Sequence, residues 1–263
     1  MAEPATVALT NRYQGRNFTR SRLRDHMGPG NALYHLLETL CIEDMVVLKD
    51  EFDGALNTNI WTASNSGGGT AVDFVRIANI ANGHIQGDAG TVDNEDVRLF
   101  TTSNEIWRTG QRCSAKTRIR MPSAVANSKF EFGFADAAGA GAVLVKDTPT
   151  STGTDYVVIV RDTDDDASVD MVSDGTTDAI QLVASSPGIT FTTNTWYDLL
   201  LSTNENKESY FWIDGVYQGK AIRGPNITTA LGLWYYVQDR DDANNKQLDV
   251  DYVLAWQERT ALA

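Results

Sequence analysis

Residues 112–121 read RCSAKTRIRM, and residues 129–136 read KFEFGFAD. In the first stretch Cys113, Ala115, Thr117, Ile119 and Met121 fall on one side, and Ser114, Lys116, Arg118 and Arg120 on the other. In the second, Phe130, Phe132 and Phe134 share a face. A period of two marks a half-buried strand, because successive side chains of an extended chain point to opposite faces. QLDVDYVLAW (247–256) repeats the pattern, and its spacing predicts one face made of Leu248, Val250, Tyr252, Leu254 and Trp256. Further runs of this kind are AVDFVRI (71–77), DVRLFTT (96–102), AVLVK (142–146), DYVVIVRD (155–162), AIQLVA (179–184), TWYDLLLS (195–202), ESYFWI (208–213) and LGLWYYVQ (231–238). Turns rich in Gly, Asn, Asp and Ser separate them, and Asp214-Gly215 before VYQGKA is a strong hairpin signal. Many short strands without intervening helices predict an all-β, two-sheet antiparallel sandwich. Phe132, Trp212 and Tyr252 are expected in its core.

Upstream of the strands the pattern differs. Residues 1–27 read as an irregular, extended arm. Gly28-Pro29-Gly30 breaks the chain, and Asn31 can cap a helix over 31–44, where Leu33, Leu36, Leu37, Leu40 and Cys41 follow one helical face. The chain therefore divides into an arm with one short helix (1–47), expected to serve docking or oligomerisation, and a sandwich (48–263).

The chain has 263 residues, of which 42% are hydrophobic and 22% charged, which is enough apolar material for a sizeable core and excludes global disorder. No apolar run approaches the ~20 residues of a membrane span, and no basic region followed by an apolar stretch opens the sequence. Cys41 and Cys113 are too few for a disulfide framework and read as reduced, buried thiols. The net charge is −13, unevenly spread. Residues 10–24 hold Arg12, Arg16, Arg20, Arg22 and Arg24 and no acid. The remaining 17 Lys and Arg against 35 Asp and Glu leave the rest at −18. Such a body repels nucleic acid and anionic membranes, whereas the arm suits an acidic partner surface. A solvated terminus is the alternative reading of the arm.

Three segments carry a resemblance. DEFDG…IWTASNSGGG (50–69), TWYDLLLSTNENKESYFWIDGVYQGK (195–220) and LDVDYVLAW (248–256) resemble the concanavalin A-like jelly roll, the superfamily of laminin G-like modules, legume lectins and laminarinase-type hydrolases. Trp196, Tyr197, Leu199, Trp212, Ile213, Asp214 and Gly215 look like its central hairpin, and Val250, Asp251, Tyr252 and Val253 like its final strand. The likeness spans about residues 48–258 and implies a fold rather than a chemistry. Proteins of this fold with an added N-terminal arm are similar to bacteriophage structural proteins.

The chemistry expected of the hydrolases is missing its parts. Retaining hydrolysis needs two carboxyls ~5–5.5 Å apart, which the resemblance implies as E-x-D-x-x-E on one strand. Glu51-Phe52-Asp53-Gly54-Ala55-Leu56 is a partial match that ends in Leu, and KFEFGFAD offers Glu131 with Gly133 at the next outward position. Asp249 and Asp251, two apart, read as the polar solvent face of a strand. Asp162, Asp164, Asp166 and Asp170 have the 1, 3, 5, 9 spacing of a calcium loop, but Ala167 replaces the usual glycine and Ser173 the closing Glu. A solvated hairpin tip is the alternative, and QDRDDANN (238–245) reads the same way. The tryptophans Trp61, Trp107, Trp196, Trp212 and Trp234, with Tyr235, read as core packing rather than sugar platforms.

The sequence is accordingly read as a non-enzymatic virion protein without cofactor. It is expected to be a capsid decoration (cement) protein, docked on a major capsid protein or another virion protein through Arg12, Arg16, Arg20, Arg22, Arg24, Leu33 and Leu37. A homotrimer is expected, because capsid three-fold positions favour one. Membranes and nucleic acid are not expected partners. The alternative is a carbohydrate-binding module or tail-associated adhesin of the same fold, with a glycan as ligand.

Overall fold

A computed structural model of the chain describes residues 45–66, 69–77, 83–101, 106–136, 141–143, 153–164, 168–176, 180–185, 188–241 and 244–259. The arm and the helix expected over 31–44 lie outside these residues, as does Asp166. The sandwich is built within Val47–Ala263.

The strands are β1 (Met45–Asp50), β2 (Trp61–Asn65), β3 (Val72–Arg76), β4 (Ile85–Asp88), β5 (Asp96–Thr101), β6 (Ser114–Arg120), β7 (Ser128–Ala135), β8 (Tyr156–Asp162), β9 (Asp170–Asp174), β10 (Gln181–Ala184), β11 (Trp196–Thr203), β12 (Ser209–Ile213), β13 (Val216–Ala221), β14 (Gly232–Asp239) and β15 (Gln247–Glu258). One 3-10 turn, Thr109–Gln111, is the sole helical element among the described residues. The strands form two sheets. One has eight strands in the order β13-β12-β11-β6-β15-β4-β3, with β1 also paired to β15. The other has seven, in the order β10-β9-β8-β7-β14-β5-β2. Neighbours along both paths run antiparallel. The expected all-β antiparallel sandwich is thus what the chain adopts, and it is a jelly-roll sandwich.

Aromatic side chains from the period-two runs join the sheets. Phe132 on β7 lies 5.0 Å from the Tyr235 ring of β14, and the Tyr235 hydroxyl donates across the sandwich to Thr117 Oγ1 of β6 at 2.9 Å. Burial pushes the Tyr235 phenol well above its ordinary value. Phe130 stacks on Phe191, which stacks in turn on Tyr197, while Phe134 tilts against Trp107. Cys113 is a buried free thiol, and burial raises it to about 12.

Three expectations require correction. In β15 the core face switches partway: Leu248 and Val250 point inward, but the next inward residues are Val253 and Ala255. Val250 faces Ile119 of β6 while Tyr252 faces Arg118, so Asp251 is an extra residue in the ladder. This bulge turns Tyr252, Leu254 and Trp256 outward, and Tyr252 is not a core residue. Trp212 is not core either: Phe211 and Ile213 fill the interior, and Trp212 lies half-buried on the outer face. Finally, Ala142 and Val143 do not form the strand expected over 142–146 but cross over the outer side of β7.

Phe132→Ala is expected to lower stability by about 3–5 kcal/mol, the cost of an emptied aromatic site. Tyr217→Ala, at a residue 50% exposed, should stay within about 0.5 kcal/mol. Urea unfolding midpoints measure both; a Phe132→Ala midpoint equal to that of Tyr217→Ala would contradict this core.

Candidate functional site

The sandwich has two outer faces, and they differ. On the seven-stranded sheet, register aligns Glu131 and Lys129 of β7 with Tyr236 and Gln238 of β14 and with Val160 and Asp162 of β8. Glu131, the acid singled out by the sequence, is fully buried. One of its oxygens lies 3.0 Å from Lys129 Nζ. The other accepts the Trp234 indole N–H at 2.9 Å and the Val143 backbone N–H at 2.8 Å. Val143, Tyr156, Val158, Val160, Val172, Trp234 and Tyr236 close over this face as a second apolar cluster. The next outward position is barred to any carboxylate: a Cβ on Gly133 would sit 2.1 Å from the Val157 carbonyl oxygen. Glu131 is therefore a structural counter-ion, with no room for a second acid one outward position further along β7.

The acidic run is also occupied. Asp162 ends β8 and meets Arg240 and, at 3.7 Å, Lys129. Asp164 lies 3.5 Å from Arg240. Asp170 begins β9 and accepts the Ser185 backbone N–H at 3.2 Å. Within QDRDDANN, Asp239 and Asp241 share Lys246. No group of three or more His, Cys, Asp or Glu side chains is placed to hold a metal ion among the described residues.

The outer face of the eight-stranded sheet forms a different surface. Register sets its side chains in ranks across neighbouring strands, each strand about 4.8 Å from the next. One rank runs Tyr217, Trp212, Leu200, Lys116, Leu254. A second runs Lys220, Tyr210, Ser202, Ser114, Trp256. A third holds Asp198, Arg118 and Tyr252, and a fourth Trp196, Arg120, Asp249 and Gln86. The Tyr210 and Trp212 rings lie 6.3 Å apart at 29°, and Trp212 and Tyr217 5.7 Å apart. A second bulge, between Phe211 and Trp212, sets Tyr217 opposite Trp212.

The arginines of this face and Lys220 are each matched with an acid. Arg120 binds Asp249 and packs its guanidinium 4.6 Å from the Trp196 ring centre. Arg118 reaches Asp251 at 3.4 Å. Glu208 is held down to about 2 by Lys220, Tyr210 and Asn204, with Lys220 Nζ 2.7 Å away. Asp198 accepts the Tyr252 hydroxyl at 3.1 Å. Asp249 is not the solvent-facing acid that the sequence pattern implied. It is fully buried, takes Gln86 Nε2 at 2.7 Å, and has His84 Nε2 3.6 Å away. Trp61, Trp107, Trp234 and Tyr235 are buried as expected, whereas Trp196 and Trp212 belong to this outer face. Arg12, Arg16, Arg20, Arg22, Arg24, Leu33 and Leu37 lie outside the described residues.

No family model and no curated protein matches the sequence. Solved structures do match the fold. The Emp47p carbohydrate recognition domain aligns with TM-score 0.55 and 8% identity over 82% of this chain and 98% of that one. The endo-1,3-beta-glucanase from Streptomyces sioyaensis aligns with TM-score 0.55 and 13% identity over 82% and 97%. A glycoside hydrolase family 16 endo-glucanase from Bacteroides ovatus aligns with TM-score 0.53 and 11% identity over 78% and 98%. The fold is thereby that of the concanavalin A-like lectins and glucanases, and at such identities the likeness extends to the fold alone.

Glu131→Gln is expected to destabilise the sandwich by about 3–5 kcal/mol, because it strips the buried Lys129 of its nearest counter-charge. Thermal or urea unfolding measures this; an unchanged midpoint would contradict the structural role of the pair.

Proposed function

We propose that this chain is a non-catalytic glycan-binding sandwich that receives a polysaccharide on the outer face of its eight-stranded sheet. The observation that carries the reading is the rank of Tyr217, Trp212 and Leu200 beside Tyr210, half-buried to exposed on the outer face of the sheet. Aromatic rings of this kind offer an apolar face to the C–H side of a sugar and keep polar edges for its hydroxyls. Ser202, Asn204 and Arg118 stand among them as hydrogen-bonding groups. The fold's occurrence in a carbohydrate recognition domain and in glucanases supports the reading by analogy.

The placement of the acids speaks against catalysis. A retaining hydrolase needs one carboxyl that holds a proton and a second ~5–5.5 Å from it. On this face Asp249 and Asp251 are clamped to arginines, and Glu208, at about 2, is ionised throughout the neutral range. On the opposite face Glu131 is sealed beneath Trp234 and Val143.

A panel of neutral and acidic polysaccharides, tested by affinity electrophoresis and calorimetry, checks the reading. Wild-type protein is expected to bind at least one without cleaving it. Trp212→Ala and Tyr217→Ala should each weaken that binding by about 2 kcal/mol, roughly 30-fold, while the protein stays folded. Binding to none of the panel, or binding indifferent to both substitutions, would refute it.

The basic character of residues 10–24 favours a second role compatible with the first: anchorage to a larger acidic assembly, such as the virion. An ion pair at a solvent-exposed surface contributes ~0–1 kcal/mol, so attachment through these five arginines would rest on their sum. Deleting residues 1–27 should leave a folded sandwich that binds glycan but no longer co-sediments with particles. Co-sedimentation at wild-type occupancy after the deletion would remove this role.

A further inference from the structure

Lys116 of β6 stands within the proposed glycan surface. It is the fourth of the five residues in its rank, with Leu200, Trp212 and Tyr217 on one side and Leu254 on the other, and its Nζ lies 5.9 Å from the Tyr252 ring centre. Every other cation in these ranks has an acid: Arg120 has Asp249, Arg118 has Asp251, and Lys220 has Glu208. Asp198, the remaining acid, is engaged by the Tyr252 hydroxyl. Among the described residues the Lys116 ammonium has no hydrogen-bond or ion-pair partner, although its backbone is paired within the sheet. In a chain of net charge −13, this aromatic face therefore carries one positive charge without an acidic partner.

Resting on the glycan-binding reading, we propose that the ligand is a polysaccharide in which acidic and neutral sugars alternate, and that Lys116 binds the carboxylate of the acidic sugar. Lys116 and Trp212 are two strands apart, about 10 Å, roughly the span of a disaccharide. A neutral sugar stacked on Trp212 and Tyr217 thus places the acidic group of a neighbouring sugar at the ammonium. A single charge-assisted contact among apolar rings fits spaced carboxylates better than a uniform polyanion, which the acidic body would repel. At ~0.15 M salt the Debye length is about 8 Å, so distant acids are largely screened while this contact is not.

The test uses the full chain at that salt with hyaluronan oligosaccharides, in which neutral and acidic sugars alternate, and with the same oligosaccharides after reduction of their carboxylates to alcohols. Wild-type protein is expected to bind the native form about tenfold more tightly than the reduced form. Lys116→Gln should bind both alike at the reduced-form affinity, and Lys116→Arg should restore the preference. Trp212→Ala should weaken both forms together. Equal wild-type affinity for the two forms, binding of neither, or a preference that survives Lys116→Gln overturns the inference. Equal affinity would leave the glycan-binding reading standing. That reading fails separately if no polysaccharide of any kind binds, or if Trp212→Ala changes nothing.

Discussion

The extra residue at Asp251 decides what the larger sheet shows to solvent. Without it β15 would keep one alternation along its length, and Tyr252, Leu254 and Trp256 would be directed between the sheets. With it, small residues (Val253, Ala255) face the core where the strand passes β6, and the large ones turn outward. The bulge opposite Phe211 and Trp212 does the same service at the other side of the sheet by setting Tyr217 against Trp212. A third shift lies between Val72 and Val75. The register shifts found among the described pairings all fall in the eight-stranded sheet. Bulges recur beside binding sites because one inserted residue re-aims those that follow it.

The two outer faces show opposite solutions to the same problem. A sheet face not turned to the core must be either covered or made compatible with water. The seven-stranded sheet is covered. Trp234, Tyr236 and Val143 close over it, and the Lys129–Glu131 pair enters the interior only because each member finds partners there. Buried ions cost several kcal/mol each in lost solvation, so such a pair marks a fixed arrangement rather than a working site. The eight-stranded sheet is left half-open, and its rings are interleaved with ion pairs. The Arg118 and Arg120 guanidiniums lie over the Trp196 ring, 5.2 and 4.6 Å from its centre, where the electron-rich π face attracts a cation.

The fold was legible wherever alternation was unbroken. The patterns at 112–121 and 129–136 placed Cys113, Ile119, Phe130 and Phe132 inside, and the Asp214-Gly215 turn marked the β12–β13 hairpin. What misled was local. Asp251 carries no glycine to announce a bulge, so the outward turn of Tyr252 left no trace in the pattern. The ring of Trp212 is apolar in any count, yet its neighbours Phe211 and Ile213 take the inner face. Strand β4 is four residues long and contains Gly87, so nothing in the sequence announced that His84 and Gln86 would meet Asp249, 163 residues on from Gln86. The candidate surface was legible only in fragments, because its members come from β6, β11, β12, β13 and β15 and are brought into rank by pairing alone.

The central claim is that the half-open aromatic face, and not the sealed one, is where a ligand lands. Hydroxyl-radical footprinting read by mass spectrometry, with and without a bound polysaccharide, addresses it most directly. The account predicts that Tyr217, Trp212 and Trp256 are labelled in the free protein and protected by the ligand, while Trp61, Trp107, Trp234 and Phe132 remain unlabelled throughout. Ligand-dependent protection confined to residues off the eight-stranded face, with Trp212 and Tyr217 labelled equally in both states, would contradict it.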